Sequence, residues 1–352
     1  MNTTKLLTRE KFRAQVFERD GYRCVFCKED AVDAHHIMER RLWDDYGYYL
    51  DNGASVCTPC HILCEKTYYS TEEVRSAAKI DRIILPSHLY DDQEYDKWGN
   101  PIMPNGQRLK GELFHDPSVQ KILSEGGVLH LFLKYVKYPR TYHLPYSPGM
   151  NDDDRMLKDV DNFKGKRVIV MEKLDGENTS MYNDYIHARS IDSGSHESRD
   201  WIKSFHGKIG YNIPEDWRIN VENMYAKHSI LYKDLSTYAY GFAIWNDKNY
   251  MLDWKSSLEW FELIGITPCP WIYWDIYDQK AIQKVYDECS KTHITEGYVI
   301  RIDEPFHYSQ FRTHVGKWVR AGHIQTIKHW MYGQKIEPNI LKEGITGFEA
   351  LL

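Results

Sequence analysis

Two Cys-x2-Cys pairs near the N-terminus, Cys24/Cys27 and Cys57/Cys60, constrain this chain more than any other feature. Each pair has the spacing of a metal-binding knuckle, and the 29 residues between them suit four thiolates around one tetrahedral zinc. Of the seven cysteines in 352 residues, five fall between Cys24 and Cys64, whereas Cys269 and Cys289 stand alone. Such clustering points to metal in a reducing compartment rather than to a disulfide framework; the other reading, free buried thiols, has to produce both pairs by chance. Zinc would supply folding energy that so short a segment cannot draw from a core of its own.

The rest of the chain is long enough for two domains with separate cores, and its 42% apolar content is that of a soluble globular protein. No apolar stretch approaches the roughly 18 residues of a membrane span, and the N-terminal MNTTKLLTREKF lacks the apolar core of a signal peptide. The expectation is a cytoplasmic protein with no membrane association, and no protein partner is evident. A net charge of -6 does not decide nucleic-acid binding, because phosphates are met by local patches. One such stretch runs from Pro305 to Ile336, where Arg312, Lys317, Arg320, Lys328 and Lys335 are interleaved with Trp318, Trp330 and Tyr332 and no acidic residue intervenes. A merely solvated basic face is the alternative.

Local pattern divides the chain into residues 1–66, 67–133 and 134–352. The first opens with an expected helix from Arg9 to Arg19, Phe12, Val16 and Phe17 on one face, ending at Asp20-Gly21. The second is charged and turn-rich, then reads as helical through VLHLFLKYV, a connector with little core of its own. After the Pro-punctuated YPRTYHLPYSPG, the third alternates strands and helices: VIVMEKL, a hairpin around Asn183-Asp184, TYAYGFAIW and EGYVIRI are strands. The fold class is α+β.

Between the two knuckles lie Asp33-Ala34-His35-His36-Ile37 and Asn52, with His61 directly after Cys60. This arrangement, over roughly residues 9–65, resembles the HNH nuclease motif. The resemblance implies a zinc-stabilised ββα-metal fold in which His35 and His61 ligate a catalytic Mg²⁺ or similar cation, His36 is the general base and Asn52 orients it. Glu65 stands where a third ligand sometimes occurs, its role open. A neutral imidazole can take a proton from water near neutral pH, and a divalent cation polarises the scissile phosphate. The competing reading is a zinc module that only binds nucleic acid.

Glu172-Lys173-Leu174-Asp175-Gly176-Glu177-Asn178 fits the KxDG signature. Alone it is weak, since any strand before an Asp-Gly turn produces it. It is followed in order by Arg189 in HARS, Glu222 in VENMYAKHSI, Phe242 in GFAIW, Glu296 in EGYVIRI and Lys317 in GKWVR. Together these resemble the ordered motifs of the covalent nucleotidyltransferases, the superfamily of DNA ligases, RNA ligases and capping enzymes. The resemblance implies that Lys173 attacks the α-phosphate of ATP, with Mg²⁺ (or Mn²⁺) as cofactor. Glu222 and Glu296 would hold the ribose and the hydrated metal, with Asn178 acting through the metal's waters. Phe242 would stack on adenine, the backbone at Glu172 would read its edge, and Arg189 and Lys317 would clamp phosphates. Asp175 and Gly176 complete the nucleotide-binding set. Related ligases often carry a second lysine two residues after the first in the last motif; here Val319 stands there, and Arg320 is the expected replacement.

Only 32 residues follow Arg320, too few for the C-terminal barrel of DNA ligases and capping enzymes, which favours the RNA-ligase branch. YPRTYHLPYSP, ENMYAKHSI and KWVRAGHIQT look most like Deinococcus-type RNA ligases, over about residues 134–335. That resemblance implies joining of 3′-OH to 5′-phosphate ends in RNA or in nicked RNA/DNA duplexes. A DNA ligase or a guanylyltransferase is the alternative. HNH nucleases leave the ends such a ligase needs, so the reading is a bifunctional nucleic-acid processing enzyme, bacterial or phage-encoded.

Overall fold

The computed structural model describes residues 5–90, 93–150, 154–191, 195–322 and 336–345. The chain divides into two compact units, residues 1–136 and 137–352. Among the described residues, no helix is long and apolar enough to cross a membrane.

In the first unit, α1 (Arg9–Arg19) starts at Thr8, whose hydroxyl accepts from the Lys11 amide at 3.3 Å, and it buries Phe12 and Val16 as its periodicity requires. Strands β1 (Asp33–His36) and β2 (Gly53–Val56) pair antiparallel, with His35 opposite Ala54 and His36 opposite Gly53. Gly53 admits α1 to the sheet: a Cβ there would lie 2.5 Å from Val16 Cγ2 and 2.7 Å from the Phe12 ring. Helix α2 (Thr58–Glu65) follows at once, so two strands and a helix bring both histidine segments together.

Residues 67–133 differ from the expectation of a connector. Helix α3 (Thr71–Ala77), the short pair β3 (Glu94–Tyr95) and β4 (Pro101–Ile102), and α4 (Pro117–Glu125) are built into the first unit. Tyr95, Trp98, Leu113, Phe114, Val119 and Leu123 form one core with Met38 and Leu42. These apolar residues follow no regular period, which is why the segment reads as coreless. Buried Asp96 is neutralised by Arg108 at 3.2 Å and held by Asn100, so the charged stretch is affordable inside. The expected helix through VLHLFLKYV is only a single turn, Leu129–Leu131. Beyond it the chain is extended, because Arg108 takes both backbone partners there: its amide bonds Leu131 and its carbonyl bonds Leu133, each at 2.8 Å.

The second unit contains two sheets. In chain order its elements are β5 (Tyr142–His143), β6 (Arg167–Lys173), β7 (Glu177–Met181), β8 (Ile186–Ala188), α5 (Asp200–Ile209), β9 (Arg218–Asn223), β10 (Ala239–Trp245), β11 (Tyr250–Met251), α6 (Trp254–Ile264), β12 (Thr267–Pro268), β13 (Trp271–Ile276), α7 (Gln279–Cys289), β14 (Gly297–Ile302), β15 (Phe306–His307), α8 (Phe311–His314) and β16 (Val315–Val319). One sheet has the order β13-β6-β14-β16-β5; the other runs β15-β11-β10-β9-β7-β8, with β12 beside β10. The three expected single strands form as β6, β10 and β14, and β7 and β8 make the hairpin that turns through Asn183-Asp184.

Strand β6 is apolar without alternation because both of its faces are buried. Val168 and Val170 pack with Ile300 and Ile302 of β14 and with Ile282 and Tyr286 of α7. Ile169 and Met171, on the opposite face, join Met181, Ile219 and Val221 of the other sheet and the apolar sides of α5 and α6. The two sheets thus share a core at one end and part at the other, where β6 ends in Lys173.

Candidate functional site

A cavity of about 790 Å³ opens where the sheets part. Strand alternation aims its residues. Met171 lies opposite Val299, and Val299 opposite Lys317, so Lys173, two residues past Met171, emerges on the face that carries Lys317. From the other sheet come Asn178 and Glu222, which are direct partners across β7 and β9. Phe242 is the extra residue of a β-bulge between Gly241 and Ala243, and this irregularity lets it line the cavity, edge-on to Tyr138 at 5.4 Å. Arg189 also lines it, following the last residue of β8.

The floor is a charge cluster. Lys173 Nζ lies 2.6 Å from Glu296 Oε2, a carboxylate only 2% exposed. Burial by itself pulls the lysine pKa down, but Glu296, Glu222 and Asp175 reverse this and hold it above the ordinary value. Burial pushes the Glu222 carboxyl up to about 8, with Glu296 adding and Lys173 opposing. Burial also carries Lys317 below the ordinary lysine value, with Lys173 adding, although Asp154 at 3.1 Å works against it. A carboxyl that holds its proton and a lysine that releases its own more readily thus flank the ion pair. Gly176 fits this tight corner: its amide donates to Glu222 Oε1 at 3.1 Å, and a Cβ would stand 2.5 Å from the Asn223 carbonyl oxygen. The Asn178 Oδ1 is buried without a hydrogen-bond partner beside the cavity, an acceptor that a bound ligand or a hydrated cation fits.

Three expected residues serve differently. The Asp175 carboxylate turns away and accepts from the Ser229 amide at 2.8 Å and the Ile230 amide at 2.9 Å, so it fixes the turn after Lys173 rather than meeting a ligand. Arg320 is not among the cavity-lining residues; its Nε donates to the Thr295 carbonyl at 3.0 Å and braces the approach to Glu296. Glu172 lines the cavity as expected, but its carboxylate points toward the end of α7 and its amide bonds the Pro270 carbonyl at 2.9 Å. Of the expected basic and aromatic stretch, Trp318 is core, stacked on Tyr298 at 5.3 Å, and Lys328, Trp330, Tyr332 and Lys335 lie outside the described residues.

The cavity also takes residues that motif reading missed. Tyr138 and Arg140 reach it from YPRTYHLPYSPG, a segment legible only as punctuation. Asp154 pairs with Lys317 and with His143, the latter at 3.1 Å. Arg199 grips Glu177 with two hydrogen bonds of 2.7 and 2.5 Å at the start of β7. Nothing in the sequence marks this lone arginine.

In the first unit, Cys24, Cys27, Cys57 and Cys60 offer four sulfurs within 4.8 Å of one another. Burial opposes ionisation of Cys24, yet the backbone amides of Cys27, Cys57 and Phe26 outweigh it and bring its thiol down to about 7. Such a donor set fits zinc. His35, His61 and Glu65 converge as a second possible ligand group, with His61 Nε2 3.1 Å and His35 Nδ1 3.4 Å from Glu65 Oε1. His36, opposite Gly53, stacks on Phe12 at 4.6 Å and meets the Tyr48 edge, and burial, with Lys97 and Arg40 adding, lowers its pKa to about 3. Asn52 does not orient it as expected. The Asn52 side chain accepts from the Met38 amide and donates to the Met38 and Gly47 carbonyls, so it ties the loop after β1 to the turn before β2. Lys97, from the segment read as a connector, places its ammonium 3.1 Å from Glu65 and 3.1 Å from the His36 carbonyl.

Two sheets of a mixed α+β fold frame a half-buried lysine, Lys173, at the end of β6, with Glu222, Glu296 and Lys317 around it. Residues 166–319, which carry Lys173, Glu222, Glu296 and Lys317, match the RNA ligase family model. No curated protein matches the chain. Among solved structures it is similar to an archaeal ATP-dependent RNA ligase, with 11% identity, 53% of this chain and 48% of that chain covered, and a TM-score of 0.38. A putative ATP-dependent DNA ligase from Aquifex aeolicus gives 14% identity, coverage of 53% and 50%, and a TM-score of 0.37. The Naegleria gruberi RNA ligase with PPi gives 18%, 46% and 51%, and 0.35. The chain spans about half the length of these structures.

Proposed function

We propose that the second unit is an ATP-dependent RNA ligase and the first a metal-dependent nuclease of the HNH type. The observation that carries the ligase reading is Lys173, held 2.6 Å from Glu296 in a cavity shared with Glu222 and Lys317, inside the residues that match the RNA ligase family. Lys173 gives up its proton, and its Nζ attacks the α-phosphorus of ATP; the bond to pyrophosphate breaks and a lysyl-AMP forms. The AMP then passes to a 5′-phosphate end. A 3′-OH attacks that activated phosphate, and AMP leaves as the phosphodiester forms. Lys317 and Arg189 offset phosphate charge, Phe242 offers its face to adenine, and Glu296 holds Lys173 in place between steps. Glu222, Glu296 and Asn178 would hold Mg²⁺ or Mn²⁺ through its waters, and the ion supplies neutralisation of the triphosphate. With ATP labelled at the α-phosphate, wild type becomes labelled and Lys173→Ala does not; labelling of that variant would remove the mechanism. Labelling from GTP instead would mark a guanylyltransferase, and sealing only of DNA ends a DNA ligase.

For the first unit, His35, His61 and Glu65 would hold the divalent cation, which polarises a scissile phosphate, and His36, kept neutral by its aromatic surroundings, would accept the proton of the attacking water. A second reading has a specific observation in its favour: the Lys97 ammonium already neutralises Glu65, as suits a zinc-stabilised module that binds nucleic acid without cutting it. Incubation with Mg²⁺ or Mn²⁺ and single- or double-stranded RNA and DNA, without ATP, separates the two. Cleavage that His36→Ala abolishes supports the nuclease, whereas retention without cleavage supports the binder.

A further inference from the structure

At the edge of the cavity the Glu172 side chain meets Cys289 and His293, two residues that neither reading uses. Cys289 ends α7 and His293 follows four residues later, in the turn that leads to β14. Cys289 Sγ lies 3.4 Å from Glu172 Oε1, His293 Nε2 lies 2.8 Å from Glu172 Oε2, and Sγ and Nε2 are 4.0 Å apart.

The local hydrogen bonds fix the imidazole tautomer. The Thr292 hydroxyl has one proton, and it donates that proton to the Cys289 carbonyl at 2.7 Å. Toward His293 Nδ1, 2.9 Å away, the same hydroxyl can therefore only accept, so Nδ1 carries the hydrogen. In the neutral ring Nε2 then presents its lone pair to a carboxylate oxygen. Two acceptors at that distance repel unless a cation joins them, either a proton or a metal ion. A partner on Nδ1 that directs the lone pair of Nε2 is also the arrangement that orients metal-binding histidines.

The donor set decides the class of metal. One thiol sulfur, one imidazole nitrogen and one carboxylate oxygen suit a borderline-soft ion of the zinc class rather than Mg²⁺ or Ca²⁺. Bonds of about 2.0–2.3 Å in tetrahedral geometry set donor atoms roughly 3.3–3.8 Å apart. The sulfur–oxygen separation falls in that range, and the sulfur–nitrogen one is close to it. The nitrogen–oxygen pair has to open by about half an ångström to reach zinc-like spacing. The His293 side chain, 45% exposed, has room for this movement.

We propose that Glu172, Cys289 and His293 form a binding site for a zinc-class divalent cation, with its fourth position open to water. Binding displaces the thiol proton of Cys289 to solvent. The ion would clamp the end of α7 to Glu172, the residue before Lys173, and so stiffen the strand end that presents the lysine. The site does not rest on the ligase reading, because its donors stand together whatever the cavity does.

The test uses the full chain, stripped of metal and titrated with Co²⁺, then Zn²⁺, with bound metal counted after desalting. Wild type should hold one equivalent more than Cys289→Ser and one more than His293→Asn, and the thiolate–cobalt absorption should fall in the cysteine variant while the four-cysteine site keeps its own. An unchanged count in either variant would overturn the proposal. His293 is partly exposed, so its variant should fold, and an unchanged thermal melting transition of the second unit in zinc-free buffer reports that both variants retain it.

Discussion

The two units place their candidate site residues differently relative to their cores. In the first, the candidate ligands are part of the core: Cys24, Cys57 and Cys60 sit among Val25, Ile37, Ala54 and Val56, and His36 is packed between Phe12 and Tyr48. In the second, the core is complete without the site. Ile169 and Met171 on one face of β6, and Val168 and Val170 on the other, secure the sheets, and Lys173 only emerges where the strand runs out of core. A small domain that uses its site to fold ties function to stability, whereas stacked sheets leave the cleft residues free to be chosen for chemistry.

The largest expected effect tests that contrast directly. Cys57→Ser, or chelation, should unfold the first unit alone, since structural zinc contributes on the order of 10 kcal/mol in such folds. Calorimetry should then show one transition lost and the transition of the second unit kept; joint loss would mean that the units do not fold separately. Next, Glu296→Gln should lower the rate of lysine labelling by about 100-fold or more while leaving the melting of the second unit close to wild type, because it removes the charge that holds Lys173 at 2.6 Å without removing volume. A large fall in stability instead would make Glu296 a structural residue, like those of the first unit.

Gly176→Ala should cost about 1–3 kcal/mol in a denaturant titration, because its Cβ meets the Asn223 carbonyl at 2.5 Å and the turn has to shift from the Glu222 carboxyl. The smallest effect is one of pH. Glu222 keeps its proton up to about 8 in the folded unit, against an ordinary value of 4.5, so the folded state binds that proton more tightly. The stability this contributes is full below the ordinary value and is lost as pH rises through about 8. Denaturation midpoints of the second unit should therefore decline across that window, and Glu222→Gln should flatten the decline; parallel curves for the two proteins would show that the carboxyl is not buried as described.

Much of this was legible in the residues because spacing along one element dictates position. Two Cys-x2-Cys pairs bring four sulfurs together, the unbroken apolar run VIVM demands a strand buried on both faces, and a lysine at its end must leave the core. The segment 67–133 was not legible, since Tyr95, Trp98, Leu113 and Phe114 follow no period and become a core only once Met38 and Leu42 stand opposite them. Asn52 and Arg320 show the limit from another side: their residue types suited the roles expected of them, but hydrogen bonds to Met38, Gly47 and Thr295 claim their side chains.

The sequence by itself determined which residues could do chemistry, the ends of the principal strands and the knuckle spacing, all of which depend on neighbours a few positions away. Only the tertiary structure decided which of those groups meet. The pairing of Lys173 with Glu296 across 123 positions, the arrival of Lys97 beside Glu65, and the convergence of Cys289 and His293 on Glu172 depend on strand register and on how helices end. Those contacts are made through space between segments distant in the chain, and no local pattern carries their distances.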